Sequence, residues 1–111
     1  MELSTKNLDN VTVVELSGEI DGRTAPIAQE QILPLLVSGA RILLDMSRVE
    51  YMSSAGLRML LSTYRTATGN AARVVIAGLN EELRDTMSAT GFLTFFTTTE
   101  TQAEGIAALS Q

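Results

Sequence analysis

Met52-Ser53-Ser54-Ala55-Gly56-Leu57 sets two hydroxyls at the start of an amphipathic segment. If Ser53 is the N-cap, its oxygen accepts a hydrogen bond from the amide of Ala55 or Gly56, and Ser54 becomes the first helical residue with its hydroxyl free. A phosphate on that hydroxyl would face unpaired amides and the positive end of the helix dipole, a favourable setting for a group of charge about −1.5 to −2. Serines at helix starts are commonly caps and nothing more, so the pattern alone leaves Ser54 open between capping and modification.

Other chemistries find few residues to carry them. The 111-residue chain has no histidine and no cysteine, which removes the commonest general base, the commonest metal ligand, thiolate nucleophiles and disulfides. A serine hydrolase needs a base beside its nucleophile, and the only lysine, Lys6, falls at the end of the expected first strand. Gly18 and Gly22 fit no Walker spacing, and Gly78 precedes a helix without a second glycine or a lysine. Asp21 and Asp45, both placed at strand ends, could bind Mg²⁺ or act as acid and base, or serve simply as turn and cap residues. A net charge of −5 lacks the electrostatic footprint of a nucleic-acid binder. No metal or cofactor is expected, and a protein partner or small ligand is.

The elements that must position these residues follow from periodicity. Val11 to Ile20 is rich in β-branched residues and reads as a strand, with Leu3 to Lys6 pairing to it through a turn at Asn7 to Asn10. Thr24 to Val37 reads as a helix with Ala28, Ile32, Leu35 and Leu36 on one face, kinked at Pro34 and stopped by Gly39. Arg41 to Asp45 and Arg73 to Ala77 are short apolar runs that read as buried parallel strands. Between them Leu57, Leu60, Leu61 and Tyr64 recur at helical spacing until Gly69, opposite Arg58, Ser62 and Arg65. Strand, helix and strand at this spacing predict a right-handed parallel crossover. Asn80 caps a further helix with Glu81 and Glu82 in its first turn and Leu83 and Met87 buried, and Gly91 ends it. Phe92 to Thr97 reads as an edge strand, and Thr99 with Gln102 as a capping box for a last helix carrying Ala103, Ile106 and Ala107. The polar N-terminus and the lack of any apolar run near the ~18 residues of a membrane span predict a soluble, cytoplasmic protein with no membrane insertion.

The stretch ILLDMSRVEYMSSAGLRMLLSTYR resembles the signature of STAS domains, shared by anti-sigma factor antagonists and the cytoplasmic tails of sulfate transporters. VVELSGEIDGRTAP is similar to that family's second strand and following loop, RVVIAGLNEELRDTMSATGF to its late strand and helix, and FFTTTETQAEGIAAL more weakly to its end. The resemblance implies one α/β STAS domain over residues 1–111, a mixed β-sheet packed with about four helices. It implies a non-enzymatic bacterial partner switch. The unmodified protein binds an anti-sigma factor with serine kinase activity, serine phosphorylation releases it, and a serine phosphatase restores it. Asp45, Ser47, Gly56 and Leu57 match the family motif, and alignment on Gly56 and Leu57 puts the phosphoacceptor at Ser54. The partner-binding loop maps onto Asp21, Gly22, Arg23 and Thr24, for which turn and cap is the plainer reading. Ser53 stands where the family usually has an aspartate, and Ala55 where a second hydroxyl residue is common. These departures keep a second reading open, a constitutive STAS interaction module that is not phosphorylated.

Overall fold

In the computed structural model, which describes residues 1–110, the chain opens with an antiparallel hairpin of β1 (Glu2–Leu8) and β2 (Val11–Ile20). Asp9 and Asn10 form its two-residue turn with φ of 52° and 64°. Asn and Asp tolerate that left-handed backbone better than other side chains, which suits them to a tight hairpin. The turn therefore needs only two residues, and β1 runs on to Leu8 past the expected end at Lys6. β2 pairs in parallel with β3 (Arg41–Met52), β3 with β4 (Arg73–Ala77), and β4 with β5 (Thr97–Thr99). The resulting mixed sheet has the order β1-β2-β3-β4-β5. Four helices complete it: α1 (Ala25–Ile32), α2 (Ser54–Gly69), α3 (Glu81–Ala89) and α4 (Gln102–Leu109). This is the α/β architecture that the sequence predicts.

Period-two alternation divides the core between the two faces of the sheet. Val14, Leu16, Ile42, Leu44, Met46 and Ile76 pack with Ala28 and Ile32 of α1, Leu57 and Leu60 of α2, and Leu83 and Met87 of α3. Val11, Val13, Leu43, Val75 and Ala77 point the other way, toward Leu109 of α4. The central strands are buried on both sides, which is why β3 and β4 read as unbroken apolar runs.

Several boundaries depart from the periodicity, each for a local reason. The helix expected over residues 24–37 is α-helical only to Ile32, and Leu33–Leu35 form a 3₁₀ turn. Pro34 has no N–H to give and its ring crowds the carbonyl four residues back, so the α-helix stops where a kink was expected. β3 does not end at Asp45 but continues to Met52. Its pairing to β2 shifts twice, so that the eight residues from Asp45 to Met52 run beside the six from Glu15 to Ile20. Each extra residue is a bulge, and the buried residues Met46, Val49 and Met52 then recur every third position, where strand alternation would put every second. On α2 the buried face is Gly56, Leu57, Met59, Leu60, Thr63 and Ala67, while Leu61 and Tyr64 are only half-buried. The Tyr64 ring lies against Phe95 and Phe96, with centroids 5.3 and 5.7 Å apart. Those phenylalanines explain the next difference. Phe92–Phe95 form a 3₁₀ turn that turns aromatic rings onto α2, so the expected strand over residues 92–97 reduces to the three-residue edge strand β5. The capping box of α4 is Thr101 with Glu104, two residues beyond the expected pair. The Thr101 hydroxyl accepts from the Glu104 N–H at 3.1 Å and the Glu104 carboxylate accepts from the Thr101 N–H at 3.0 Å, while the Thr99 hydroxyl donates to the Thr101 carbonyl.

Candidate functional site

Ser53 is held by its backbone N–H, its carbonyl and its side-chain oxygen. Its N–H donates to the Ile20 carbonyl at 2.9 Å, its carbonyl accepts the first helical bond from Leu57 N–H at 3.0 Å, and its Oγ accepts from the Ala55 N–H at 3.2 Å. The backbone is extended there, at φ −80° and ψ 178°, as an N-cap requires. Ser54 is consequently the first residue of α2, exposed, and its hydroxyl makes no hydrogen bond among the described residues.

Gly56 shows how closely α2 begins against the sheet. A Cβ at this position would lie 2.9 Å from the Ile20 carbonyl oxygen and would collide with the Met52 side chain. Only hydrogen fits between the first turn of α2 and the end of β2. Leu57, the next residue, is buried in the core and fixes the rotation of the helix so that Ser54 faces outward.

The loop after β2 reaches the same edge because the two bulges of β3 carry Met52 up to its partner Ile20. Asp21 organises that loop: its Oδ1 accepts from the N–H groups of Arg23 at 3.0 Å and Thr24 at 3.1 Å. Thr24 Oγ1 accepts from Asp21 N–H at 2.8 Å and donates to the Glu19 carbonyl at 2.9 Å. Thr24 therefore precedes α1 without capping it through its side chain, and the Asp21 carboxylate closes the turn instead. The backbone bonds from Arg23 and Thr24 hold the Asp21 carboxyl below the usual aspartate range. Gly22 and Arg23 are exposed on this ordered loop. Between the loop, α1 and α2 lies a shallow groove of about 430 Å³ whose lining includes Gly22, Ala25, Pro26, Ala55, Arg58 and Met59. Arg58 reads from periodicity only as the polar face of α2. The signal that it belongs to the site is its i+4 spacing from Ser54, which puts both on one side of the helix.

Asp45 and Ser47 lie elsewhere. Asp45 pairs with Glu15 in mid-strand, on the face that carries α4. Its Oδ1 accepts from the Ser47 N–H at 3.0 Å, and its Oδ2 accepts from the Gln102 amide at 2.8 Å, which also donates to Glu15 at 3.1 Å. Burial pushes the Asp45 carboxyl up, but the hydrogen bonds from Ser47 and Gln102 and the charge of Lys6 outweigh it, and the net displacement is downward. Ser47 abuts Gly78, where φ is +79° and a Cβ would stand 2.7 Å from that of Ser47. These two motif residues thus fasten α4 and the turn after β4. The candidate pair Asp21 and Asp45 is not brought together, since Asp21 lies six residue steps beyond Glu15, the partner of Asp45, about 20 Å of strand.

The sequence matches the family model described as the STAS domain over residues 2–105. Among curated proteins, an anti-sigma-B factor antagonist of Bacillus subtilis is 29% identical over 91 residues, covering 82% of this chain and 84% of that relative. Among solved structures, an anti-sigma factor antagonist from Mycobacterium paratuberculosis superposes with a TM-score of 0.85 at 26% identity, covering 99% of this chain and 94% of that one. The phosphorylated form of the Bacillus cell fate determinant SpoIIAA shares the fold, with a TM-score of 0.74 at 20% identity over 97% of this chain and 99% of that one. With the signature segment at the β3–α2 junction, the five-stranded mixed sheet and a family match over almost its whole length, the chain belongs to the STAS domain family.

Proposed function

We propose that this protein is an anti-sigma factor antagonist that works as a phosphoswitch in the bacterial cytoplasm. With Ser54 unmodified, the surface formed by the start of α2 and the Asp21–Thr24 loop docks an anti-sigma factor with serine kinase activity. Phosphate transferred to the Ser54 hydroxyl ends that docking, and a serine phosphatase restores the free hydroxyl. The observation that carries the reading is the division of labour between the two serines: Ser53 makes the cap, which leaves the Ser54 hydroxyl exposed and uncommitted. The similarity to the Bacillus subtilis antagonist over four-fifths of the chain supports the class of partner.

The physics of the switch is local. A phosphoserine at the first helical position stands at the positive end of α2, so the fold tolerates it. A docked partner would instead have to desolvate a dianion or make room for it, and binding is lost. The protein itself performs no catalysis in this scheme. The experiment is to incubate it with ATP and an anti-sigma factor that has serine kinase activity, map the phosphosites, and measure binding of Ser54→Ala and Ser54→Asp. Phosphate on Ser54, retained binding by Ser54→Ala and lost binding by Ser54→Asp are the expected results. Absence of phosphate at Ser54, or unchanged binding by Ser54→Asp, overturns the switch.

A second reading, a constitutive interaction module on the same face, is favoured by Ser53 and Ala55. Ser53 lacks the negative charge, and Ala55 the second hydroxyl, that the resemblance leads one to expect beside a phosphoacceptor. Under it, Ser54→Ala leaves partner affinity and cellular output intact, and no phosphate is found on Ser54.

A further inference from the structure

We propose that the free edge of β1 docks a second copy of this chain, the two β1 strands pairing antiparallel about a two-fold axis at Ser4 to form one ten-stranded sheet. β1 is a sheet edge, seven residues long, contains no proline, and pairs with β2 without any shift of register. Six of its seven residues are exposed and Leu3 is half-buried, so neither helix layer overhangs it. The opposite edge, β5, offers only three residues. A long, regular edge of this kind presents a row of unpaired N–H and C=O groups to another strand.

Charge fixes both the occupant and the register. A lysine on an edge ordinarily discourages a second copy, because it meets itself or a neutral strand. In β1 the only lysine of the chain, Lys6, stands four residues after Glu2, on the same face of the strand. Pairing about Ser4 sets Glu2 of each copy opposite Lys6 of the other, and Leu3 opposite Thr5. Pairing about Thr5 would set Lys6 opposite Ser4 and Glu2 opposite Leu8, and pairing about Leu3 leaves Lys6 beyond the end of the other strand. Only the Ser4-centred register joins opposite charges directly across the strands, where such pairs interact most strongly. Lys6 already lies 3.6 Å from Glu15 of its own chain, so it would bridge two carboxylates on one face.

The two-fold axis runs perpendicular to the sheet. The α1–α3 layer therefore stays on one side of both copies, and the two Ser54 residues face opposite ends of the extended sheet. Docking through β1 and partner binding at Ser54 are compatible and independent. A single strand pair is small for an interface, so the association is reversible and depends on concentration.

The test uses sedimentation equilibrium of the full chain over a concentration series, with circular dichroism to confirm folding of each variant. A monomer–dimer equilibrium is expected. Glu2→Lys and Lys6→Glu each weaken it about tenfold, and the double exchange binds more tightly than Lys6→Glu alone, as a double-mutant cycle demands for a direct pair. Because the chain has no cysteine, introduced ones report register. Directly opposed residues of antiparallel strands have Cα atoms about 4.5–5.5 Å apart, within disulfide range. Ser4→Cys should cross-link on mild oxidation faster than Leu3→Cys or Thr5→Cys. A monomer at every concentration, a dimer indifferent to both charge reversals, or equally fast cross-linking at all three positions overturns the proposal.

Discussion

The Ser53 N–H and the Ile20 carbonyl are joined by a 2.9 Å hydrogen bond that ties the first residue after β3 to the last residue of β2. One bond thereby sets the distance between Ser54 and the Asp21–Thr24 loop. The two parts of the proposed docking surface belong to different crossovers, and this is the point at which they meet.

Ser53→Ala removes the side-chain acceptor from the Ala55 N–H while leaving the Ile20 bond in place. A loss of about 1 kcal/mol in unfolding free energy is expected from urea titration. Ser53→Asp keeps an acceptor at the cap and adds a favourable charge at the positive end of α2, so its stability should equal or slightly exceed that of the parent. Kinase reactions with the same variant ask whether the missing acidic neighbour limits phosphate transfer to Ser54.

Gly56→Ala should destabilise the protein by about 1–3 kcal/mol even though alanine is the better helix former. The added methyl would have to displace the Ile20 carbonyl or the Met52 side chain, moving α2 away from β2. Thermal unfolding measures the cost. Loss of the cross-peak between the Ser53 amide and the end of β2 in an amide-to-Cα NMR spectrum would locate it.

Acid should weaken the fold below about pH 4. The Asp21 and Asp45 carboxyls are both held below their usual value of 3.8, so each favours the folded state when ionised. That contribution is complete above the unfolded value and is lost as pH falls through the lowered folded one. Urea unfolding should be flat between pH 7 and 5 and decline below 4. Asp45→Asn, which keeps an oxygen for the Ser47 N–H but sets an amide donor against the Gln102 amide and removes the charge, should lower stability at pH 7 and flatten the decline.

Ser54→Ala and Ser54→Asp should leave stability within about 0.5 kcal/mol of the parent, because the hydroxyl is exposed and makes no hydrogen bond among the described residues. Any change in partner affinity, read by calorimetry, then reports the surface and not the fold. A drop of several kcal/mol in either variant would mean that Ser54 is structural.

The sequence was most legible where one interaction dominates. Asn80 was recognisable as a cap, and its Oδ1 accepts from the Leu83 N–H at 2.8 Å. Ser53 was recognisable too, since a hydroxyl before a helical apolar pattern has few other uses. The α/β order followed from apolar runs at β3 and β4 around the amphipathic α2. What escaped was set by neighbours distant in sequence. The second half of β3 hid because its bulges replace a two-residue period with a three-residue one, which single-strand periodicity does not recognise. The Phe92–Phe95 turn hid because its aromatic residues favour strands in isolation and were claimed by Tyr64 of α2. Asp45 and Ser47 could be picked out as motif residues, but their attachment to Gln102 and Gly78 depends on the fold.

The two bulges also say which kinds of inherited change this site can absorb. Exposed positions of the Asp45–Ser53 stretch, such as Arg48, Glu50 and Tyr51, are open to replacement because their side chains point to solvent. Its length is not open. Deleting one residue would either remove a bulge, and with it the local bend of β3, or slip every later residue of β3 by one place against β2, which turns those side chains over and withdraws Ser53 from the Ile20 carbonyl. The site is thus written as a count of residues as much as a choice of them, and lineages that keep it should drift in letters there while holding the spacing constant.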